Sequence, residues 1–190
     1  CTKFILPALV KSGWNVEKQI REEVFFTDGR IFVKGNKTVR GERKRADFIL
    51  YLKPNIPIAV IEAKDNNHSV GSGLQQALNY ADILDIPVAF SSNGDGFIMH
   101  DRSGYSQPIE QELSLDNFPS PDEIWEIYKK YKGIKTFEQE KIATFDYFFD
   151  GSGRSPRYYQ QIAINRTVEA IACDQKRIFL VMATGTGKTY

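Results

Sequence analysis

Ala46-Asp47-Phe48-Ile49-Leu50-Tyr51-Leu52-Lys53-Pro54-Asn55-Ile56-Pro57-Ile58-Ala59-Val60-Ile61-Glu62-Ala63-Lys64 places two apolar runs on either side of a turn signal, Lys53-Pro54-Asn55, and reads as a β-hairpin. Two acids and a lysine ride on strands that belong in a core. With Pro54 and Asn55 at the tip, paired residues have numbers that add to 109, as 47 and 62 do, so Asp47 faces Glu62 across the ladder. Strand alternation puts Lys64 on the same side and turns Ala63 away. Like charges directly opposite one another destabilise a sheet, and at about 5 Å with an effective dielectric near ~20 the repulsion is about 3 kcal/mol. A strand end emerging into solvent would also carry acids and lysines, but Asp47 in register calls for something positive in the gap. A hard divalent cation with oxygen ligands fits, with the carbonyl of Ala63 as a third donor and water completing the shell. Lys64 is then placed to hold an attacking water or to offset charge building on a phosphate.

The loop 66–73 leads into a helical pattern with Leu74, Ala77, Leu78 and Ala81 on one apolar stripe. Gln76 and Tyr80, four residues apart, share a neighbouring face. Taken singly they would be a solvated amide and a core-edge tyrosine. The strand, loop and helix together resemble the PD-(D/E)xK nuclease superfamily, and Gln76-Ala77-Leu78-Asn79-Tyr80 matches the Q-x-x-x-Y signature of its restriction-enzyme branch. The departure is Ala46, where a proline often precedes the first acid. The resemblance implies that Asp47 and Glu62 bind Mg²⁺, that Lys64 is catalytic, and that Gln76 and Tyr80 support the site or touch DNA.

The far end of the chain carries a different chemistry. Arg177-Ile178-Phe179-Leu180-Val181-Met182 reads as a buried strand running into Ala183-Thr184-Gly185-Thr186-Gly187-Lys188-Thr189. Glycines let a backbone wrap phosphate with its N–H groups inward, a lysine adds charge at the β and γ positions, and Thr189 supplies a hydroxyl for Mg²⁺. Met182 stands where the general P-loop pattern has glycine, and the A-x-G-x-G-K-T form of superfamily 2 helicases and translocases fits instead. Arg157-Tyr158-Tyr159-Gln160 opens a helix running to about Asp174 and resembles the Q motif of the same motors, which implies that Gln160 reads the adenine edge. ATP is the cofactor expected here, bound by Gln160, Thr184, Gly185, Thr186, Gly187, Lys188 and Thr189.

A chain of 190 residues has room for one full domain and part of another, and its formal net charge of +1 marks no global field for nucleic acid. Local charge says more. Lys34, Lys37, Arg40, Arg43, Lys44 and Arg45 crowd the approach to Asp47 and form a phosphate track leading to the site, a solvated basic loop being the plainer alternative. Glu17, Glu22 and Glu23 are the acids from which a further metal ligand would come; the sequence does not choose among them. Cys1 and Cys173 suggest neither a disulfide framework nor a zinc site, His68 and His100 have no partner spacing, and no run is long enough to span a membrane, so a cytoplasmic protein is expected. Both ends read as cuts in a longer chain.

Elsewhere, Phe4 to Val10 suggest a helix stopped near Gly13, with Trp14 packing beneath it. Val16 to Phe26 and Ile31 to Lys34 suggest strands around an Asp28-Gly29 turn, and Ile86 to Phe90 a buried strand. Ser120, Pro121 and Glu123 predict a helix start with a capping box, ended at Gly133. Aromatics at 145–149 are expected to pack, and Gly151-Ser152-Gly153 to act as a hinge.

The fold class expected is α/β: a PD-(D/E)xK core over 1–115, a helical connector over 116–155, and the start of a RecA-like P-loop lobe over 156–190. In that order the motifs resemble the N-terminal part of the R subunit of type I restriction enzymes. The resemblance implies partnership with double-stranded DNA and with modification and specificity subunits, ATP-driven translocation, and Mg²⁺-dependent cutting. Another nuclease–motor fusion, of the type III restriction or repair class, and a DNA-binding or assembly module without turnover are the alternatives.

Overall fold

A computed structural model describes residues 2–27, 31–34, 37–40, 43–147 and 156–182. Its centre is a six-stranded mixed sheet in the order β1 (Ile20–Thr27), β4 (Arg43–Lys53), β5 (Ile56–Ala63), β6 (Val88–Ser92), β7 (Gly96–Asp101) and β8 (Glu110–Ser114). Only β5 and β6 run parallel, because only they are joined by a crossover helix, α3 (Leu74–Leu84). These two strands and the inner half of β4 are buried on both faces, which is why they read as unbroken apolar runs.

The hairpin forms as the sequence predicts. Pro54 and Asn55 make the turn, and Phe48, Ile49 and Leu50 pair with Ile61, Val60 and Ala59 in the expected register. An irregularity at Tyr51 and Leu52 absorbs the misfit of Pro57, which has no N–H to give the ladder.

Upstream, the structure departs from expectation. Asn15 caps a short helix, α2 (Val16–Gln19), by accepting the N–H of Lys18, so the strand begins only at Ile20. β1 then pairs with β4 rather than with β2 (Ile31–Lys34), which forms its own two-stranded ribbon with β3 (Lys37–Arg40). The Asp28-Gly29 turn lies outside the described residues. β8 went unread because its mixed glutamates offer no apolar face, and it pairs at the exposed edge.

Helices cover both sides of the sheet. α3 begins against Glu62 and Ser91 on one face, while Phe118 packs on Phe90 on the other, ahead of α4 (Pro121–Lys132). α1 (Thr2–Lys11) is stopped near Gly13, and Trp14 is buried below it, its indole N–H donating to the carbonyl of Pro119. The capping box at Ser120 and Glu123 is present, and Gly133 takes the left-handed φ of +75° that a β-carbon would resist.

A seven-residue helix, α5 (Phe137–Ala143), and the longer α6 (Tyr158–Ala172) complete the fold. α6 docks onto the sheet domain at three points. Tyr158 packs on Phe26, Asn165 Nδ2 donates to the Asn55 carbonyl at the hairpin tip (2.9 Å), and Arg166 Nε bonds Asp85 at the end of α3 (2.7 Å). Tyr147 joins this contact through Asn165, but Phe145 is 76% exposed rather than packed; Phe148, Phe149 and the Gly151-Ser152-Gly153 stretch lie outside the described residues. Residues 177–182 form no strand, and Phe179 is 92% exposed: a buried strand needs flanking strands, and the described residues offer none there. No helix among the described residues is long and apolar enough to cross a membrane.

Candidate active site at the β4–β5 hairpin

The observed register, carried one residue beyond Phe48 and Ile61, sets Asp47 across from Glu62. Asp47 Oδ2 accepts the N–H of Ala63 at 2.8 Å, which ties the two strand ends together. Glu62 is only 3% exposed. Its Oε1 accepts from Lys64 Nζ at 2.8 Å, and its Oε2 is buried with no hydrogen-bond partner among the described residues. Burial pushes the Glu62 carboxyl above its usual range, the Lys64 bond pulls it back, and the nearby charge of Asp47 pushes it up again. A buried carboxylate oxygen without a partner is costly. A cation seated between Glu62 Oε2 and Asp47 would remove that cost and the repulsion together, so the donor set suits a hard divalent ion. Among the described residues no third acid, His or Cys joins them. Glu23, the upstream acid nearest in register, adopts a left-handed φ of +52° and pairs with Arg45 at 3.3 Å.

α3 supplies the other half of the site. Lys64 Nζ donates to Gln76 Oε1 at 3.0 Å, and Gln76 Nε2 donates to the Tyr80 hydroxyl at 2.7 Å. The i, i+4 spacing of Gln76 and Tyr80 thus continues the chain Glu62–Lys64–Gln76–Tyr80 along the helix. The ring of Tyr80 is seated edge-on against Phe26, with centroids 5.2 Å apart. The backbone N–H of Lys64 donates to the carbonyl of Ser92 (2.8 Å), extending the parallel ladder just past the acids.

Sequence reasoning missed Phe26, Gly73 and Ser91. Ser91 left a signal of the same kind as Glu62, a polar residue closing a buried strand, but only the parallel pairing of β5 with β6 sets the two side by side.

Among the basic residues, Arg43 stacks on the exposed ring of Phe25 (3.9 Å to the centroid) and Arg45 extends its charge toward Glu62. Lys44 is half-buried. Lys37 and Arg40 lie on β3, and their side chains are outside the described residues, as are Thr184, Gly185, Thr186, Gly187, Lys188 and Thr189. Gln160 sits in the first turn of α6, where its Oε1 accepts the N–H of Arg157 at 2.8 Å.

Residues 32–107 match the family model "Type I restriction enzyme R protein N terminus", and residues 154–190 match "Type III restriction enzyme, res subunit". All 190 residues align at 50% identity with the EcoAI type I restriction endonuclease subunit of Escherichia coli, and 99% of the chain aligns at 26% identity with the EcoKI endonuclease subunit of strain K12. The chain spans 23% and 20% of the lengths of these two relatives. A solved fragment described as an HsdR subunit of a type I restriction enzyme from Vibrio vulnificus YJ016 superposes with a TM-score of 0.80 at 44% identity, over the whole of this chain and 35% of that one. The mixed sheet flanked by helices is the fold of that fragment, and by sequence and architecture together this chain belongs with the N-terminal region of type I restriction enzyme R subunits.

Proposed function

We propose that this chain contributes the nuclease site of a type I restriction R subunit, one that hydrolyses phosphodiester bonds of double-stranded DNA with Mg²⁺ in a complex with modification and specificity subunits. The observation that carries this reading is the unpartnered buried oxygen of Glu62 opposite Asp47, with Lys64 held beside it. Asp47 and Glu62 would hold the ion, with the carbonyl of Ala63 as a further ligand. Bound Mg²⁺ would supply charge neutralisation at a phosphate and a lowered pKa for water. Lys64, fixed by Glu62 and Gln76, presents positive charge at the same edge and orients water or offsets charge on the phosphate as the bond to the leaving oxygen breaks. Arg43, Lys44 and Arg45, with Lys37 and Arg40 on β3, would lead the DNA backbone toward Asp47.

The motor half of the reading places α6 and the P-loop at the start of an ATP-driven translocase lobe, with Gln160 at the adenine and Lys188 at the phosphates. The domain limits are then 1–115 for the nuclease, 116–155 for the connector and 156–190 for the beginning of the motor, in a cytoplasmic enzyme. Plasmid cutting by the full-length subunit with its partners, Mg²⁺ and ATP tests both halves. Glu62→Ala should abolish cutting and spare ATP turnover, while Lys188→Ala should abolish both. Continued cutting by Glu62→Ala would move the nuclease elsewhere and leave this domain a scaffold.

A further inference from the structure

Ser91, the penultimate residue of β6, lies beside Glu62 in the parallel register and is fully buried. Its hydroxyl accepts the N–H of Gly73 at 3.0 Å and donates to the carbonyl of Val70 at 2.5 Å, closing the 70–73 turn against the sheet. Gly73 stands at the N-cap of α3 and has no side chain with which to cap it, so the bond to Ser91 fixes where the helix starts. A β-carbon at Gly73 would lie 3.0 Å from Glu62 Cγ, 3.3 Å from Glu62 Cβ and 3.0 Å from Ser91 Oγ. The first residue of the helix frame is therefore in contact with the side chain of Glu62, and one turn further on the same helix holds Lys64 through Gln76.

We propose that Ser91 and Gly73 are positioning residues for the cation-binding carboxylate: Ser91 pins the start of α3, and the bare backbone of Gly73 forms the wall that keeps Glu62 opposite Asp47. The proposal rests on the metal reading above. A methyl group at residue 73 forces Glu62, and Ser91 Oγ with it, to give by a few tenths of an ångström. Ligand distances at a metal hold to about 0.2 Å, so that displacement is felt at the ion although no ligand is lost. Loss of the Ser91 hydroxyl frees the Gly73 N–H and the Val70 carbonyl and lets the helix start drift. Partners that hold metal ligands in place typically change affinity by about 10–100-fold when removed.

The test is a calorimetric titration of Mn²⁺ into the nucleotide-free full-length subunit, comparing wild type, Glu62→Ala, Ser91→Ala and Gly73→Ala, with a melting curve for each. The proposal expects one site lost in Glu62→Ala and weakened at least about tenfold in both Ser91→Ala and Gly73→Ala, with Gly73→Ala melting close to wild type. Should Ser91→Ala fail to fold, Gly73→Ala decides, since it deletes no hydrogen-bonding group. Wild-type Mn²⁺ affinity in Gly73→Ala would overturn the proposal, and so would weakening that merely tracks a lowered melting temperature. A titration unchanged by Glu62→Ala is a different result: the metal reading itself fails, and the proposal with it.

Discussion

Glu62 has one carboxylate oxygen bonded to Lys64 and the other bonded to nothing among the described residues, which makes it the residue most sensitive to a cation. A divalent ion that binds only the folded protein stabilises it by about 1.4 kcal/mol at ten times its dissociation constant, or about 3–6 °C for a chain of this size. A melting scan with and without Mn²⁺ should show that rise in the wild type and none in Glu62→Ala; an equal rise in both would place the ion elsewhere. Lys64 acts by charge, so Lys64→Ala should lower the turnover of DNA cutting by about 10²–10³-fold. Gln76→Ala, which removes the acceptor that steadies Lys64 and the donor to the Tyr80 hydroxyl but no charge, should cost about tenfold. Equal loss from the two would mean that Gln76 does more than hold the ammonium. Asp47, Glu62 and Lys64 were legible from the chain because strand alternation and a two-residue turn fix which side chains meet. The unpartnered oxygen was not legible, since it depends on the wall that Gly73 provides.

The hairpin and α3 are the elements that assemble the site, and they differ in how their positions are encoded. β4 and β5 adopt the register read from the sequence because Pro54 and Asn55 leave the chain one short turn to make. β1 and β2 misled for a related reason: their alternation is blurred by Glu17, Glu22 and Glu23, and an Asp-Gly pair invites a hairpin that β4 outcompetes by offering β1 a longer partner. α3 was legible as a helix from its apolar stripe. That its Tyr80 leans on Phe26 was not, because this contact crosses from helix to edge strand. The two ends of Tyr80 are separable by mutation. Tyr80→Phe keeps the ring against Phe26 and should change stability by less than about 1 kcal/mol while slowing cutting. Tyr80→Ala opens a cavity and should cost about 3 kcal/mol. Denaturant unfolding of both variants checks the ordering, and a reversed order would mean that the hydroxyl, not the ring, anchors the helix.

Across the whole molecule, α6 is packed against the sheet domain. Its contacts reach the hairpin tip, the edge strand and the end of α3, all more than 80 residues away in the chain. No periodicity reports partners that distant, so these contacts were not legible in the sequence. One of the three contacts is ionic: Asp85 Oδ2 lies 2.6 Å from Lys132 Nζ and 2.7 Å from Arg166 Nε, and Lys132 also reaches Glu169 at 3.3 Å. Burial alone would raise the Asp85 carboxyl, but Arg166 and Lys132 outweigh it and hold it below its usual range. A carboxyl lowered by folding adds stability that is complete above the ordinary value of 3.8 and is lost as pH falls through the lower folded value. Asp85→Asn should therefore cost about 2 kcal/mol at neutral pH, allowing for the exposure of Arg166, and should flatten the loss of stability below that pH. An acid unfolding curve of unchanged shape in Asp85→Asn would show that α6 is held by its apolar contacts instead.

Whether Asp47 and Glu62 share a cation is read most directly from an anomalous-difference map of crystals of this chain soaked in Mn²⁺. A peak is expected within about 2.0–2.6 Å of Glu62 Oε2 and of an oxygen of Asp47. A map with no peak between these two carboxylates, in crystals that leave the hairpin open to solvent, would contradict it.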